Sequence, residues 1–177
     1  MACGPLNINI QIIGTVKGKG LTRAAAQAGD DIWVTGFLGA GYQPHPPRIA
    51  AGLALRECAH AAIDLSDGLL GDLPHICVAS QLGADIFLEK LPIDPAVIRS
   101  CAPMDALRLA LTAGEDYELC FSAAENQRAL ILQFCEQQAL PVSLIGKMRP
   151  DPGVCYYLNQ QKMDLSGWHG FEHFTSN

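Results

Sequence analysis

Apolar and polar residues alternate along Leu6-Asn7-Ile8-Asn9-Ile10-Gln11-Ile12, the two-residue period of a strand with one face in a core. This predicts a strand over 6–12 whose sheet partners come from further along the chain, from another subunit, or from a part not carried here. Asp31-Ile32-Trp33-Val34-Thr35-Gly36 reads as a short buried strand running into a glycine-rich turn at 36–41. His45-Pro46-Pro47 then stiffens the backbone, and the Ala- and Leu-rich stretch 48–62 predicts a helix. After Ile63, the residues Leu69, Leu73, Ile76, Cys77 and Ser80 keep a helical spacing that Gly83 closes. The pattern continues with a strand at 84–88, a helix at 104–112, a strand at 117–121, a helix at 125–138 and a strand at 142–145. Segments 154–158 and 162–165 pair as a hairpin. Strands alternating with helices imply a layered α/β (α+β) domain. No repeat, low-complexity tract or linker interrupts it, and 177 residues suit one domain of ordinary size.

Composition narrows the classes of function. The hydrophobic share is high at 49%, yet charge, Gly or Pro breaks every apolar run before membrane-spanning length, so no segment is expected to cross a bilayer. The first residues lack the basic stretch and apolar core of a secretory signal, which predicts a cytoplasmic setting. Seven scattered cysteines with no Cys-x-x-Cys pair suggest neither a zinc cage nor a disulfide framework, but small buried apolar residues in a reducing compartment. A net charge of −6 with 12 Lys plus Arg argues against generic nucleic-acid binding. An anionic substrate would then need cations as intermediaries.

Two acidic clusters carry the candidate chemistry: Asp64-Leu65-Ser66-Asp67-Gly68 and Gly114-Glu115-Asp116-Tyr117-Glu118. In the first, Ser66 can cap the helix and Asp67, read in its first turn, complements the positive end of the dipole. Asp64 at a strand end and Gly68, which bares backbone, weigh equally towards a cation held between the carboxylates. Asp72 reads as a solvated helix face. In the second cluster an exposed acidic turn competes with a ligand-facing role for Glu115, whose carboxylate suits a donor or cationic group; Glu118 reads as structural. The Gly14–Arg23 stretch departs from the phosphate-loop spacing and reads as a turn, with Arg23 alone placed to reach a phosphate. His169 and His173 have no third ligand nearby, and Trp168, Phe171 and Phe174 read as packing, with a flat ligand on Phe171 as the sharper alternative. No nucleophile elbow or Cys–His pair is present.

The two clusters occur in order with Leu21-Thr22-Arg23, Gly29-Asp30-Asp31-Ile32-Trp33-Val34-Thr35-Gly36 and Trp168-His169-Gly170-Phe171-Glu172-His173-Phe174. Together they resemble the C-terminal half of the thiamine-monophosphate kinase family, within the aminoimidazole-ribonucleotide-synthetase-like superfamily. The resemblance implies a mixed sheet packed against helices. It implies ATP-dependent phosphorylation of thiamine monophosphate to thiamine diphosphate, with Mg²⁺ neutralising the two anions. It makes Asp64 and Asp67 magnesium ligands, Ser66 and Arg23 contacts to ATP, and Glu115 and Phe171 contacts to the thiamine moiety, with no residue acting as a catalytic acid, base or nucleophile.

The chain departs from that pattern in three ways. The family's N-terminal half, with its further aspartates and the strands of its homodimer, is absent, so residues 1–16 are expected to be the residual last strand of that half and 17–177 the synthetase-like domain. Residues 42–46 join almost directly to Pro47-Arg48-Ile49, where the family has a helix and a connecting segment. Ala113 stands where the family usually has a glycine, and Phe171 where the aromatic is also Tyr. The expectation is a kinase of impaired activity; the alternative is a non-catalytic thiamine-phosphate-binding or interaction module.

Overall fold

The computed structural model describes residues 10–16, 18, 20–41 and 46–170. Its centre is β1 (Asp31–Thr35), every residue of which is buried. On one side β1 pairs antiparallel with β4 (Leu119–Ala123), and on the other with β5 (Val142–Arg149). Outside β4 lies β2 (Ala59–Asp64). Outside β5 lies β3 (Gly83–Phe87), which takes β6 (Gly153–Leu158) as a parallel neighbour, and β7 (Gln161–Met163) closes a hairpin with β6. The result is a seven-stranded mixed sheet in the order β2-β4-β1-β5-β3-β6-β7.

Alternation along β1 explains the layers. Ile32 and Val34 face a cluster built with Leu69, Leu73 and Ile76 of α2 (Leu69–Ser80) and Leu107, Ala110 and Leu111 of α4 (Pro103–Thr112). Trp33 points the other way, to Leu55 of α1 (Ile49–Leu55) and Ile131 and Cys135 of α5 (Arg128–Gln137). Its ring stacks on Phe121 at 6.3 Å between centroids, a contact worth about 1 kcal/mol beyond its area. Helices on both faces thus bury a sheet apolar on both sides, the α/β layering that the alternating pattern predicts.

Three expectations change. The helix predicted over 48–62 stops at Leu55, and residues 59–64 become β2, whose ladder to β4 fixes Ala61 in the core. Ala favours helix only weakly, and pairing at the sheet outweighs it. Of the strand predicted over 6–12, residues 6–9 lie outside the described residues. Residues 10–12 belong to no strand, and Ile10 and Ile12 are 82% and 89% exposed. A short helix, α3 (Pro95–Ser100), was absent from the periodicity because six residues hold less than two turns; its signal was local, Asp94 accepting the Ala96 N–H at 2.6 Å with Pro95 next in chain. Cys77, Cys120, Cys135 and Cys155 are buried and free. Cys58 and Cys101 are only half-buried, so the expected burial holds for four of the six described cysteines; burial pushes the Cys77 thiol up to about 11.

Asp31 is buried in β1 and accepts from Arg128 Nη2 at 2.9 Å, with Lys147 Nζ at 3.2 Å. Burial pushes its carboxyl up, but the hydrogen bonds and charges of Arg128 and Lys147 outweigh burial, leaving the pKa lowered. A lowered folded-state value gives stability that is present above the ordinary carboxylate range and lost as pH falls through the folded-state value. Asp31→Asn is therefore expected to cost about 2 kcal/mol at neutral pH, because the cationic partners are partly solvated. In urea titrations at several pH values, the gap to wild type should close at acid pH; a gap that widens there would contradict this assignment.

Candidate functional site

The two acidic clusters meet through their backbones. Leu65 N–H donates to the Glu118 carbonyl, Glu115 N–H to the Ser66 carbonyl and Tyr117 N–H to the Leu65 carbonyl, each at 2.8 Å. This lacing needs unusual backbone. Gly68 has φ +88° and ψ 158°, a region essentially reserved for glycine, and a Cβ there would lie 2.8 Å from the Leu111 carbonyl oxygen. Gly114 has φ +68°, and a Cβ would lie 2.6 Å from the Ser66 carbonyl oxygen. The residue capping α2 is Gly68, with no side-chain cap. Ser66 is therefore not the helix cap, and Asp67 precedes the helix instead of occupying its first turn, because the lacing to 115–117 draws residues 65–67 away from helical geometry.

Asp72 departs most from expectation. It is 3% exposed, not solvated, and its Oδ2 accepts the Asp67 N–H at 2.9 Å. Burial pushes its carboxyl up; the Asp67 N–H opposes this, while the charges of Asp67 and Asp64 add to the rise. Three aspartates thus share one electrostatic neighbourhood at the start of α2. Their oxygen-only chemistry and mutual repulsion fit a hard divalent cation, which Mg²⁺ satisfies with one or two carboxylates, water and phosphate oxygens. Among the described residues no three His, Cys, Asp or Glu side chains form a metal-holding group by themselves. Asp64 and Asp67 both line one cavity.

A cavity of about 550 Å³ opens beside them, lined by Thr22, Arg23, Asp64, Ser66, Asp67 and His75 among others. Arg23 arrives there by two tethers. The Thr22 carbonyl accepts the Ala62 N–H at 3.1 Å, adding a bridge to the outer edge of β2. Ser80 Oγ donates to the Arg23 carbonyl at 2.8 Å and accepts the Ala26 N–H at 3.2 Å. Acidic and donor-bearing side chains therefore line a single cavity, a polar arrangement suited to phosphates with cations between.

Glu115 is exposed and stands outside that lining, tied to it through Ser66. Phe171 lies outside the described residues. The chain reaches Gly170 in close contact with the site, where a Cβ would sit 2.8 Å from the Asp67 carbonyl oxygen and 3.1 Å from Gly71 Cα. Trp168 lies with its ring 6.0 Å from the Arg108 guanidinium carbon. Sequence reasoning missed Asp72 and His75, whose three-residue spacing on α2 places them on one face, and Asp116. Asp116 is buried and accepts the Gly39 N–H at 3.0 Å, fastening the glycine-rich turn to the acidic loop. Glu118 is structural: it accepts the Thr35 hydroxyl at 2.6 Å and the Arg48 Nε at 2.8 Å.

Residues 42–158 match the family described as AIR synthase related protein, C-terminal domain, and the chain belongs to that family. Within it, the chain is similar to thiamine-monophosphate kinases. It is 40% identical over 200 residues to that of Escherichia coli (strain K12), covering 98% of this chain and 61% of that protein. Against that of Haemophilus influenzae the identity is 34% over 202 residues, with 98% and 62% covered. The crystal structure of thiamine-monophosphate kinase from Stenotrophomonas maltophilia K279a superposes with a TM-score of 0.74 and 35% identity, covering 81% of this chain and 54% of that one. AaThiL complexed with AMPPCP and TMP gives 0.68 and 26%, covering 87% and 54%. The chain thus spans about three fifths of the length of the curated relatives it matches. The 200 aligned residues exceed the chain's 177, so the E. coli relative carries residues within the match that this chain lacks.

Gly114→Ala should push the two acidic segments apart and cost about 2 kcal/mol, through the positive φ and the contact with Ser66. Asp72→Asn keeps an acceptor for Asp67 and sheds the repulsion, so its thermal midpoint should equal or exceed that of Asp72→Ala, which leaves the Asp67 N–H unmet. The reverse order would refute the hydrogen-bonding role.

Proposed function

We propose that this chain supplies the C-terminal share of a site that transfers the γ-phosphoryl group of ATP to thiamine monophosphate, giving thiamine diphosphate. The observation that carries the proposal is the joint lining of one cavity by Arg23, Asp64, Ser66 and Asp67, in a chain whose relatives are thiamine-monophosphate kinases. Asp64 and Asp67 would hold Mg²⁺, which neutralises the two anions that must approach each other. Arg23 pairs with phosphate oxygens of ATP and the Ser66 hydroxyl donates to another, so the chain's own part is orientation and charge complementarity. Glu115, with the backbone lacing behind it, faces the cationic or donor-bearing part of thiamine, and Phe171 offers a ring surface to it. A cytoplasmic setting, where ATP and thiamine monophosphate meet, belongs to the same proposal. No helix among the described residues is long and apolar enough to cross a membrane.

The second reading, a thiamine-phosphate-binding module without turnover, draws on the lack of a three-ligand metal group among the described residues. Two carboxylates are few for clamping both phosphates, so low turnover is expected from this chain alone. The assay is thiamine diphosphate formation from ATP, Mg²⁺ and thiamine monophosphate, run with and without the N-terminal portion of the E. coli relative. Robust turnover by the chain alone would refute the impaired-activity proposal, and binding without turnover in both arms would favour the module. In calorimetry with Mg²⁺, Asp67→Asn should weaken AMPPCP about tenfold or more. Glu115→Ala should weaken thiamine monophosphate and spare AMPPCP. Affinities untouched by either change would remove the site.

A further inference from the structure

His75 lines the polar cavity of about 550 Å³ together with Arg23, Asp64, Ser66, Asp67 and Asp72. It is exposed, and among the described residues its ring makes no hydrogen bond and joins no ion pair, although three carboxylates share the same lining. Packing does not require an imidazole there. An exposed helix position accepts Ala, Gln, Lys or Glu more readily than His.

Helix α2 sets His75 between two kinds of anchor. Near its start Asp72 Oδ2 accepts the Asp67 N–H at 2.9 Å, and at its end Ser80 Oγ donates to the Arg23 carbonyl at 2.8 Å. With a rise of about 1.5 Å per residue, His75 lies roughly 4.5 Å beyond Asp72 and roughly 7.5 Å short of Ser80 along the axis. Carboxylates stand towards one end, the segment carrying Arg23 is tied to the other, and the imidazole lies between. A row of phosphates laid from Asp67 to Arg23 passes it. A lysine at this position would pair with the aspartates and compete with a metal ion for them. An imidazole carries an N–H in either protonation state, so it can donate to a phosphate oxygen without needing a charge of its own.

We propose that His75 is a phosphate-contacting residue, donating a ring N–H to an oxygen of a polyphosphate held between the metal-binding aspartates and Arg23. The inference rests on the reading of this cavity as a phosphate site and adds to it a donor from α2 itself.

In calorimetry on the full chain with Mg²⁺, His75→Ala should bind AMPPCP about tenfold more weakly than wild type, the size expected for a hydrogen bond to a charged group. An unchanged thermal midpoint checks that the variant is folded. In imidazole NMR the His75 signal, assigned by its absence from His75→Ala, should move saturably with magnesium tripolyphosphate, which has neither base nor ribose. It should stay in place with Mg²⁺ alone. Movement with Mg²⁺ alone would make His75 a metal ligand, and no movement with tripolyphosphate would exclude a phosphate contact. Either result overturns the proposal, as does equal AMPPCP affinity in wild type and His75→Ala. Where Asp67→Asn weakens AMPPCP and His75→Ala does not, this inference falls and the kinase reading stands. Where wild type itself fails to bind AMPPCP, both fall.

Discussion

Three short backbone hydrogen bonds hold the functional end of this domain together: Leu65 to Glu118, Glu115 to Ser66 and Tyr117 to Leu65. They continue the pairing of β2 with β4 past the end of the sheet, where strand geometry would otherwise stop. Both acidic segments depend on them, because neither has a helix or ladder of its own at that point. Gly68 and Gly114 follow from the same constraint, since the chains approach too closely for a side chain at either position. Asp116 and Glu118 then anchor the loop to the glycine-rich turn and to Thr35 and Arg48. The carboxylates that face outwards rest on carboxylates that face inwards.

Helix α2 divides its labour by angle. Its inward residues Leu69, Leu73 and Ile76 hold it on the sheet. One flank presents Asp72 and His75 to a polar cavity, and the other presents Leu70, Pro74 and Val78 to an apolar one. Pro74 lies within the helix without ending it.

Much of the architecture was legible in the sequence, and the reasons are specific. Strong signals were those that local chemistry and tertiary packing share: β1 with its alternating apolar faces, α2 with its helical spacing, the hairpin at β6 and β7. The stretch 48–62 misled because alanines suit a helix in isolation, while the sheet edge recruits residues 59–64 through bonds to a strand far along the chain. Within the candidate site, Asp64, Ser66, Asp67 and Arg23 could be named in advance and do share a cavity. Asp72 could not, because nothing in its neighbourhood of sequence announces burial. Its role arises from the turn at Gly68, which folds Asp67 back over it.

The central strand has a consequence for how the chain reaches this state. Thr35 and Glu118, bonded at 2.6 Å, stand 83 residues apart in sequence, and both neighbours of β1 are synthesised long after it. Closing such loops carries an entropic penalty before any contact compensates for it, so high contact order slows folding. During synthesis β1 emerges as an apolar segment with two unpaired edges and waits for β4 and β5. The nascent chain is therefore most open to aggregation while its most buried strand is already made.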